Sequence, residues 1–467
     1  MTVGRRLGPY LAITDIQLWV VAFVTGSLGC LGIFLAIQRG AVEVGLSLAV
    51  FVMTLLFSLF AIDSPRRGWI HPIVALILIF IVHVGIRPVL GYGLGLPQHV
   101  AVPWASSGDL DRAMAQQLLL HACACMSMVL GYAALAPAGR LSAILPDRVP
   151  LSIFASGIIT AISIIALLIA GSGGLLRFIQ NLFTSSSIRD YGMDTGVAQS
   201  LSVLISIGVV AGMASQFQPS RIVALIGALA GAACAFSMAG RRSTVIFTLI
   251  GMIAARSIFT QKLRLLPLAM IVIFGVVLLG IVGVARASLY GGDEISLENS
   301  GELWNSSTLE RVVSESGERV NEESAQIALH AIVPERMDHL WGASYATMMF
   351  APIPRAFFHD KPRGTDYLAG KLLFGADWGI PVGSVAEAWW NFGLLGVIVI
   401  FVCYGILIAL LCIWYERNLN EWTAIVLIIT VAITLQPATN AVIPFTQFLV
   451  MLSCLRLLQL LFSKIHR

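Results

Sequence analysis

Long blocks of apolar residues recur along the whole chain, and their length limits the fold more than any other feature. A helix needs about 20 residues to cross a hydrocarbon core of about 30 Å, and many of the blocks reach that length. Mean hydropathy is +0.88 and only 12% of the residues are charged. Because lipid offers no partners to backbone N–H and C=O groups, such blocks are expected to form helices. The sequence therefore predicts an all-α, polytopic membrane helix bundle.

We predict about twelve membrane-spanning helices, at residues 18–37, 44–62, 69–86, 115–136, 151–170, 197–213, 222–239, 245–259, 268–285, 389–414, 422–435 and 445–461. The first block follows Arg5 and Arg6 as a signal peptide would, but no small-residue cleavage site leads into a soluble domain, so we expect it to remain a helix. The spans divide the chain into an N-terminal membrane bundle (1–286), a large loop (287–388) and a C-terminal bundle (389–467).

Basic residues predict how the chain is oriented, because cytoplasmic loops carry an excess of Lys and Arg. Alternate short loops and both termini are basic, which places them in the cytoplasm. By the same count the 287–388 loop faces outward, and so does a tight turn that carries Arg241 and Arg242. That placement runs against the insertion bias, so we interpret the two arginines as binding an anionic substrate. The net charge of +4 is too small for a nucleic-acid-binding protein.

The large loop changes in composition along its length. Residues 293–335 are strongly acidic, with a helix start from Ser307 to Glu310 and a second helical run at 327–332. From Arg336 onward aromatic residues return, and prolines deny a continuous helix: Pro352, Pro354 and Pro362. We therefore expect a partly helical loop whose second half lies extended over the helix bundle and forms the wall of a site.

Several motifs of this second half resemble the Wzy-type O-antigen polymerases, which join oligosaccharide repeat units. They are Arg336-Met-Asp338, Gly342-Ala-Ser344-Tyr345, Pro352-Ile-Pro354-Arg355, Lys361-Pro362 and Glu387-Ala-Trp-Trp-Asn391-Phe-Gly-Leu-Leu-Gly396, together with the earlier turn Gly240-Arg241-Arg242-Ser-Thr244. The resemblance implies a glycosyltransferase of the inner membrane that makes lipopolysaccharide or exopolysaccharide chains. In that family a growing glycan passes from undecaprenyl pyrophosphate to the next lipid-linked repeat unit on the periplasmic face. A flippase and a chain-length regulator would be its partners in the bilayer.

Such a transfer needs positive charge to stabilise the leaving diphosphate, and arginine can bind phosphate through two parallel hydrogen bonds. The cationic candidates are Arg355, which we place among the catalytic residues, and Arg241, Arg242, Arg286, Arg336, Lys361 and Arg363. Three further residues from the motifs are candidates for substrate binding: Tyr345, Trp390 and Asn391. Arginines at the ends of spans are also common as snorkelling charges, and tryptophans as interface anchors.

The reaction also needs a base close to the acceptor hydroxyl. His359 lies within the cationic cluster, where neighbouring positive charges favour its neutral form. Glu387 is the second candidate and lies where the tenth span begins, so it could act as the base or orient an acceptor sugar. A carboxylate at a helix start is also favoured by the helix dipole alone.

A metal-dependent reaction is the weaker alternative. Asp109 and Asp111 have the spacing of a diphosphate-bound cation site, but they also lie where a carboxylate caps the fourth span, which we favour. We therefore expect neither metal nor cofactor. Other functions remain open: an O-antigen ligase, another polyprenyl-phosphate-dependent glycosyltransferase and, less favoured, a transporter of lipid-linked oligosaccharides, since the spans carry few charges at mid-depth.

Overall fold

The computed structural model describes residues 6–7, 15–62, 71–80, 107–135, 143–144, 174, 176, 324–350, 358, 360, 362–375, 379–380, 382–418, 423, 426–427, 453 and 457. The predicted spans between 151 and 285 fall outside these residues almost entirely, and those at 422–435 and 445–461 fall largely outside them. The predicted helix start at Ser307 also lies outside.

Eight helices have defined bounds within the described part of the chain: α1 Asp15–Gln38, α2 Val42–Ala61, α3 Pro72–Phe80, α4 Ser107–Leu135, α5 Ser324–Ile332, α6 Ala343–Phe350, α7 Thr365–Phe374 and α8 Ser384–Arg417. Two short strands, β1 Arg6–Leu7 and β2 Ala143–Ile144, pair antiparallel, with Arg6 opposite Ile144. Among the residues that the structure describes, four helical stretches are long and apolar enough to cross a membrane: Leu18–Gln38, Val42–Ala61, Asp109–Leu135 and Ser384–Arg417. The predicted helical membrane architecture is confirmed to this extent.

A glycine turn joins α1 to α2. Gly40 adopts φ +83°, its N–H donates to Ile37 O, and the next N–H, of Ala41, donates to Ala36 O. This pair of hydrogen bonds is a Schellman motif, which satisfies carbonyls at the end of a helix and reverses the chain. The two helices then pack as a hairpin, and large side chains on their outer surface remain exposed, among them Phe23, Phe34 and Phe57. An apolar outer surface of this kind suits contact with lipid.

Two glycines bring α4 and α8 into direct backbone contact. A Cβ added at Gly131 would lie 2.2 Å from Val402 O, and one added at Gly405 would lie 2.0 Å from Met128 O. Small residues allow this close approach, which replaces the missing hydrophobic force between helices in lipid with van der Waals packing. The crossing fixes α8, and α8 carries most of the site.

The helices α5, α6 and α7 come from the predicted loop. The helical run expected at 327–332 is confirmed by α5, which packs on α4, α7 and α8 and is buried on all sides from Ala325 to His330. A hydrogen bond of 3.2 Å from Gln117 Nε2 to Gln326 Oε1 joins α5 to α4. The extended course expected after Arg336 is wrong in part, because α6 and α7 form there. The helix α6 lies before the three prolines of the predicted extended segment, and α7 lies after them.

Candidate functional site

The helix α8 is broken at Phe392 and Gly393. Gly393 adopts φ +63° and ψ −150°, a combination that only glycine tolerates well. A break leaves the preceding carbonyls without their helical partners. Here Trp390 O accepts from Leu340 N at 2.9 Å, and Asn391 O accepts from Trp341 N at 3.1 Å. The segment that precedes α6 is thereby fastened to the break.

Asn391 extends this attachment through its side chain, which is completely buried. Its Oδ1 accepts from Gly342 N at 3.0 Å, while its Nδ2 donates to Ser344 Oγ at 2.7 Å and to Glu387 O at 2.7 Å. One amide thus joins the segment before α6, the start of α6 and the first turns of α8. Such an arrangement fixes the mutual positions of these three elements.

The carboxyl group of Glu387 is the ionisable group at the centre of this region. It is 0% exposed, and Thr365 Oγ1 donates a hydrogen bond of 2.7 Å to its Oε1. Thr365 is the first residue of α7 and is itself buried. The start of α7 is held in turn by Asp366, whose Oδ1 accepts from Val382 N at 3.3 Å and whose carbonyl accepts from Ile380 N at 2.9 Å. The position of α7 therefore directs the hydroxyl of Thr365 at the side chain of Glu387.

Tyr345 on α6 completes the cluster. Its ring stacks against Phe392, with centroids 6.3 Å apart and planes inclined by 13°. Burial, and then the nearby carboxylate of Glu387, raise the pKa of Tyr345 far above its usual range. The phenol therefore stays protonated at any working pH. Within the described residues its hydroxyl has no hydrogen-bond partner, so it can donate to a ligand.

Aromatic and imidazole rings border the cluster. His339 Nδ1 lies 3.2 Å from Trp390 O, and its ring meets Trp341 and Trp389 edge-on at 5.7 and 6.3 Å. Trp389 donates from Nε1 to Val333 O at 3.3 Å. The His339 ring thus lies between two indoles, that of Trp389, which is half-buried, and that of Trp341, which is exposed.

The structure brings together three of the residues chosen from the sequence: Glu387, Tyr345 and Asn391. Trp390 is completely buried in the hydrophobic core, so substrate contact through its ring stays a prediction. Arg336 and Arg363 are exposed, and the guanidinium carbon of Arg363 lies 4.1 Å from the centroid of the Tyr367 ring. The other six lie outside the described residues: Arg241, Arg242, Arg286, Arg355, His359 and Lys361.

Two site residues were not singled out from the sequence. Thr365 is the first residue of α7 and follows the N-cap residue Gly364, and no motif in the sequence marked it. Ser344 lies within the motif Gly342-Ala-Ser344-Tyr345, but no role was predicted for it. Asp109 lies in the first turn of α4, which begins at Ser107, and Asp111 lies one turn further in, so capping of this helix by either carboxylate stays a prediction. Within the described residues no group of three His, Cys, Asp or Glu side chains could hold a metal ion.

Comparison with known proteins adds one finding. The family described as O-antigen polysaccharide polymerase Wzy matches residues 356–465, which include α7 and α8. No curated protein and no solved structure matches the chain. The resemblance found in the sequence is thereby confirmed over this part of the chain. It supports an O-antigen-polymerase-type function in general, that is, glycosyltransferase-like polymerisation by a membrane-embedded protein.

Proposed function

We propose that this protein joins oligosaccharide repeat units on undecaprenyl pyrophosphate at the periplasmic face of the inner membrane. The acceptor hydroxyl oxygen forms a bond to the anomeric carbon of the donor glycan. The bond from that carbon to the pyrophosphate oxygen breaks, undecaprenyl pyrophosphate leaves, and the hydroxyl proton passes to a base. The match to the polymerase family over residues 356–465 supports the reaction type, and the cluster around Glu387 supplies groups that can carry it out.

The buried carboxylate of Glu387 is the observation that carries this proposal. An ionisable side chain enclosed at the start of a membrane helix is costly, and such residues mark functional sites in membrane proteins. The carboxyl group of Glu387 accepts a hydrogen bond from Thr365 and can act as an acceptor in the site. The protonated phenol of Tyr345 is nearby and can act as a donor. Glu387 is completely buried in this structure, so an acceptor hydroxyl reaches it only after a local rearrangement of the side chains around it.

The roles follow from charge and position. Glu387 accepts the proton or orients the acceptor sugar, with His359 as the alternative base, and Tyr345 donates a hydrogen bond to the substrate. Arg363, exposed two residues before Thr365, belongs to the cationic group that stabilises the departing diphosphate. The remaining members of that group are Arg241, Arg242, Arg286, Arg336, Arg355 and Lys361. No metal takes part in this scheme, and a flippase and a chain-length regulator would act beside the enzyme.

Replacing the carboxylate with its amide tests the proposal. Glu387→Gln keeps the shape and an oxygen that can accept from Thr365, so the protein should accumulate normally. Turnover of a purified lipid-linked repeat unit should fall about 10²- to 10⁴-fold, as expected for loss of a general base. Glu416→Gln, near the other end of α8, is the control and should retain turnover. Full-length polymer from Glu387→Gln would contradict the role of Glu387, and His359→Ala would then be the variant to measure.

The same assay separates the competing functions. Wild-type protein should elongate the lipid-linked repeat unit and should not transfer glycan to a finished lipid core, which is the acceptor of a ligase. Turnover should also survive excess chelator. Abolition by the chelator with recovery on adding magnesium or manganese would refute the metal-free scheme.

A further inference from the structure

Trp341 combines a strained backbone with an exposed side chain. Its backbone adopts φ +48°, a left-handed conformation that is an outlier for a bulky residue and that costs about 1–3 kcal/mol. Its side chain is 75% exposed, so burial of the indole does not repay that strain. Glycine or asparagine would adopt the same backbone more easily. Folding alone therefore does not explain a tryptophan at this position.

The backbone around Trp341 is held firmly. Three consecutive N–H groups, of Leu340, Trp341 and Gly342, donate to the carbonyls of Trp390 and Asn391 and to Asn391 Oδ1, at 2.9–3.1 Å. The rings of His339 and Trp341 also pack in a T-shaped contact, with centroids 5.7 Å apart. The indole is therefore presented in a fixed position, and a rigid aromatic surface loses little conformational entropy when it binds a ligand.

Trp341 is also tied directly to the site. Asn391 accepts from Trp341 N, and its side chain donates to Glu387 O, one helical turn before it. We propose that the Trp341 indole is a stacking surface for a pyranose ring of the lipid-linked oligosaccharide, an inference that rests on the proposed function. The C–H groups on one face of a pyranose carry partial positive charge, and the face of an indole carries negative charge.

A second exposed tryptophan, Trp19, offers a comparison within the same molecule. Trp19 is 65% exposed and lies within the regular, apolar helix α1, where its backbone is helical. An indole that only anchors a membrane surface needs no fixed backbone, because the bilayer itself orients it. The strained and fastened turn at Trp341 favours a ligand with its own geometry over lipid.

The test compares three variants: Trp341→Asn, Trp341→Phe and the control Trp19→Phe. Asparagine relaxes the left-handed backbone, so Trp341→Asn should unfold at the wild-type temperature or above it. Its KM for the lipid-linked acceptor should rise about 10- to 100-fold while kcat stays within about threefold, and Trp341→Phe should lie between it and wild type. Trp19→Phe should match wild type in both constants.

A binding measurement keeps this inference separate from the proposed function. The probe is the water-soluble repeat-unit oligosaccharide released from its lipid by mild acid, added to purified protein in detergent. Wild type should bind it, and Trp341→Asn should bind it at least about tenfold more weakly. Equal binding by the two proteins, no binding by wild type, or a Trp341→Asn defect that appears only in bilayers would each overturn the inference. Wild-type binding without polymerisation would instead contradict the proposed function alone.

Discussion

The two parts of α8 on either side of its break face different surroundings. Residues 384–391 contact α5, α6 and α7, and they carry a buried carboxyl group and a buried amide. Residues 394–417 are apolar, lie against α4 through Gly405, and expose leucines such as Leu395 at 72%. One helix therefore serves as the framework of a polar site at one end and as a membrane span at the other.

The difference shows why the break occurs where it does. A continuous helix would satisfy its own carbonyls and leave nothing for the segment before α6 to bind. At Gly393 the helix gives up those bonds, and the freed carbonyls of Trp390 and Asn391 accept from that segment instead. Non-helical backbone at the edge of a membrane bundle is stable only where protein satisfies it, as it does here. Changes after the break should thus affect folding, and changes before it should affect turnover.

The largest expected effect lies after the break. Gly405→Ala places a Cβ within 2.0 Å of Met128 O, so α4 and α8 must move apart. The free energy of unfolding should fall by about 3 kcal/mol or more, the upper range for overpacking. Gly26→Ala on α1 is the matched control, because its Cβ would meet nothing within 4 Å. Thermal unfolding in detergent measures both, and equal unfolding temperatures would contradict the close crossing.

The sequence could predict the features that depend on residues close together along the chain, and it could not predict those that depend on contacts between distant residues. The spans of α1, α2, α4 and α8 follow from local hydropathy, although α4 and α8 begin earlier than predicted because charged residues such as Asp109 and Glu387 lower the hydropathy of their first turns. Glu387 and Asn391 could be chosen from their motif. These are local properties, and local properties are visible in a sequence.

The partners of those residues could not be predicted. Thr365 lies 22 positions before Glu387, and their contact depends on how α7 packs against α8. The attachment of Trp341 to Asn391 depends on a break whose φ and ψ no hydropathy pattern reveals. Likewise, the acidic composition of residues 293–335 as a whole hid the buried helix α5, because Ser324–Ile332 itself contains no Asp, Glu, Lys or Arg.

The second prediction concerns the amide before the break. Asn391→Leu has a similar volume but removes the acceptor of Gly342 N–H and the donor to Ser344 Oγ. Leaving buried polar groups unsatisfied costs about 1–3 kcal/mol each, and here that cost loosens the segment that carries Tyr345 and Trp341. Polymerisation should fall about 100-fold, a loss typical when supporting residues of a site are removed.

A second asparagine on the same helix provides the control for this variant. Asn418 Nδ2 donates to Trp414 O at the exposed end of α8, so Asn418→Leu removes a hydrogen bond outside the site. Turnover of Asn418→Leu should stay within about threefold of wild type, since surface changes are usually small. Equal losses in the two variants would mean that the effect of Asn391 is on folding, and the contrast between the two parts of α8 would fail.

The smallest expected effect concerns the hydroxyl of Thr365, which donates a hydrogen bond to Glu387. Thr365→Val keeps the shape of the side chain and removes the donor 2.7 Å from Glu387 Oε1. A lost hydrogen bond to a charged group is worth about 1.5–3 kcal/mol, so kcat should fall about 10- to 100-fold. KM should change little, because Thr365 positions Glu387 and is not proposed to touch substrate.

Two variants serve as controls. Thr365→Ser restores a hydroxyl and should recover most of the loss. Thr423→Val removes a buried hydroxyl that donates to Asn418 O at 2.6 Å, and it should leave kcat unchanged. If serine fails to rescue, or if KM rises while kcat is kept, then Thr365 does not act through the carboxylate and Glu387 is held by its own helix alone.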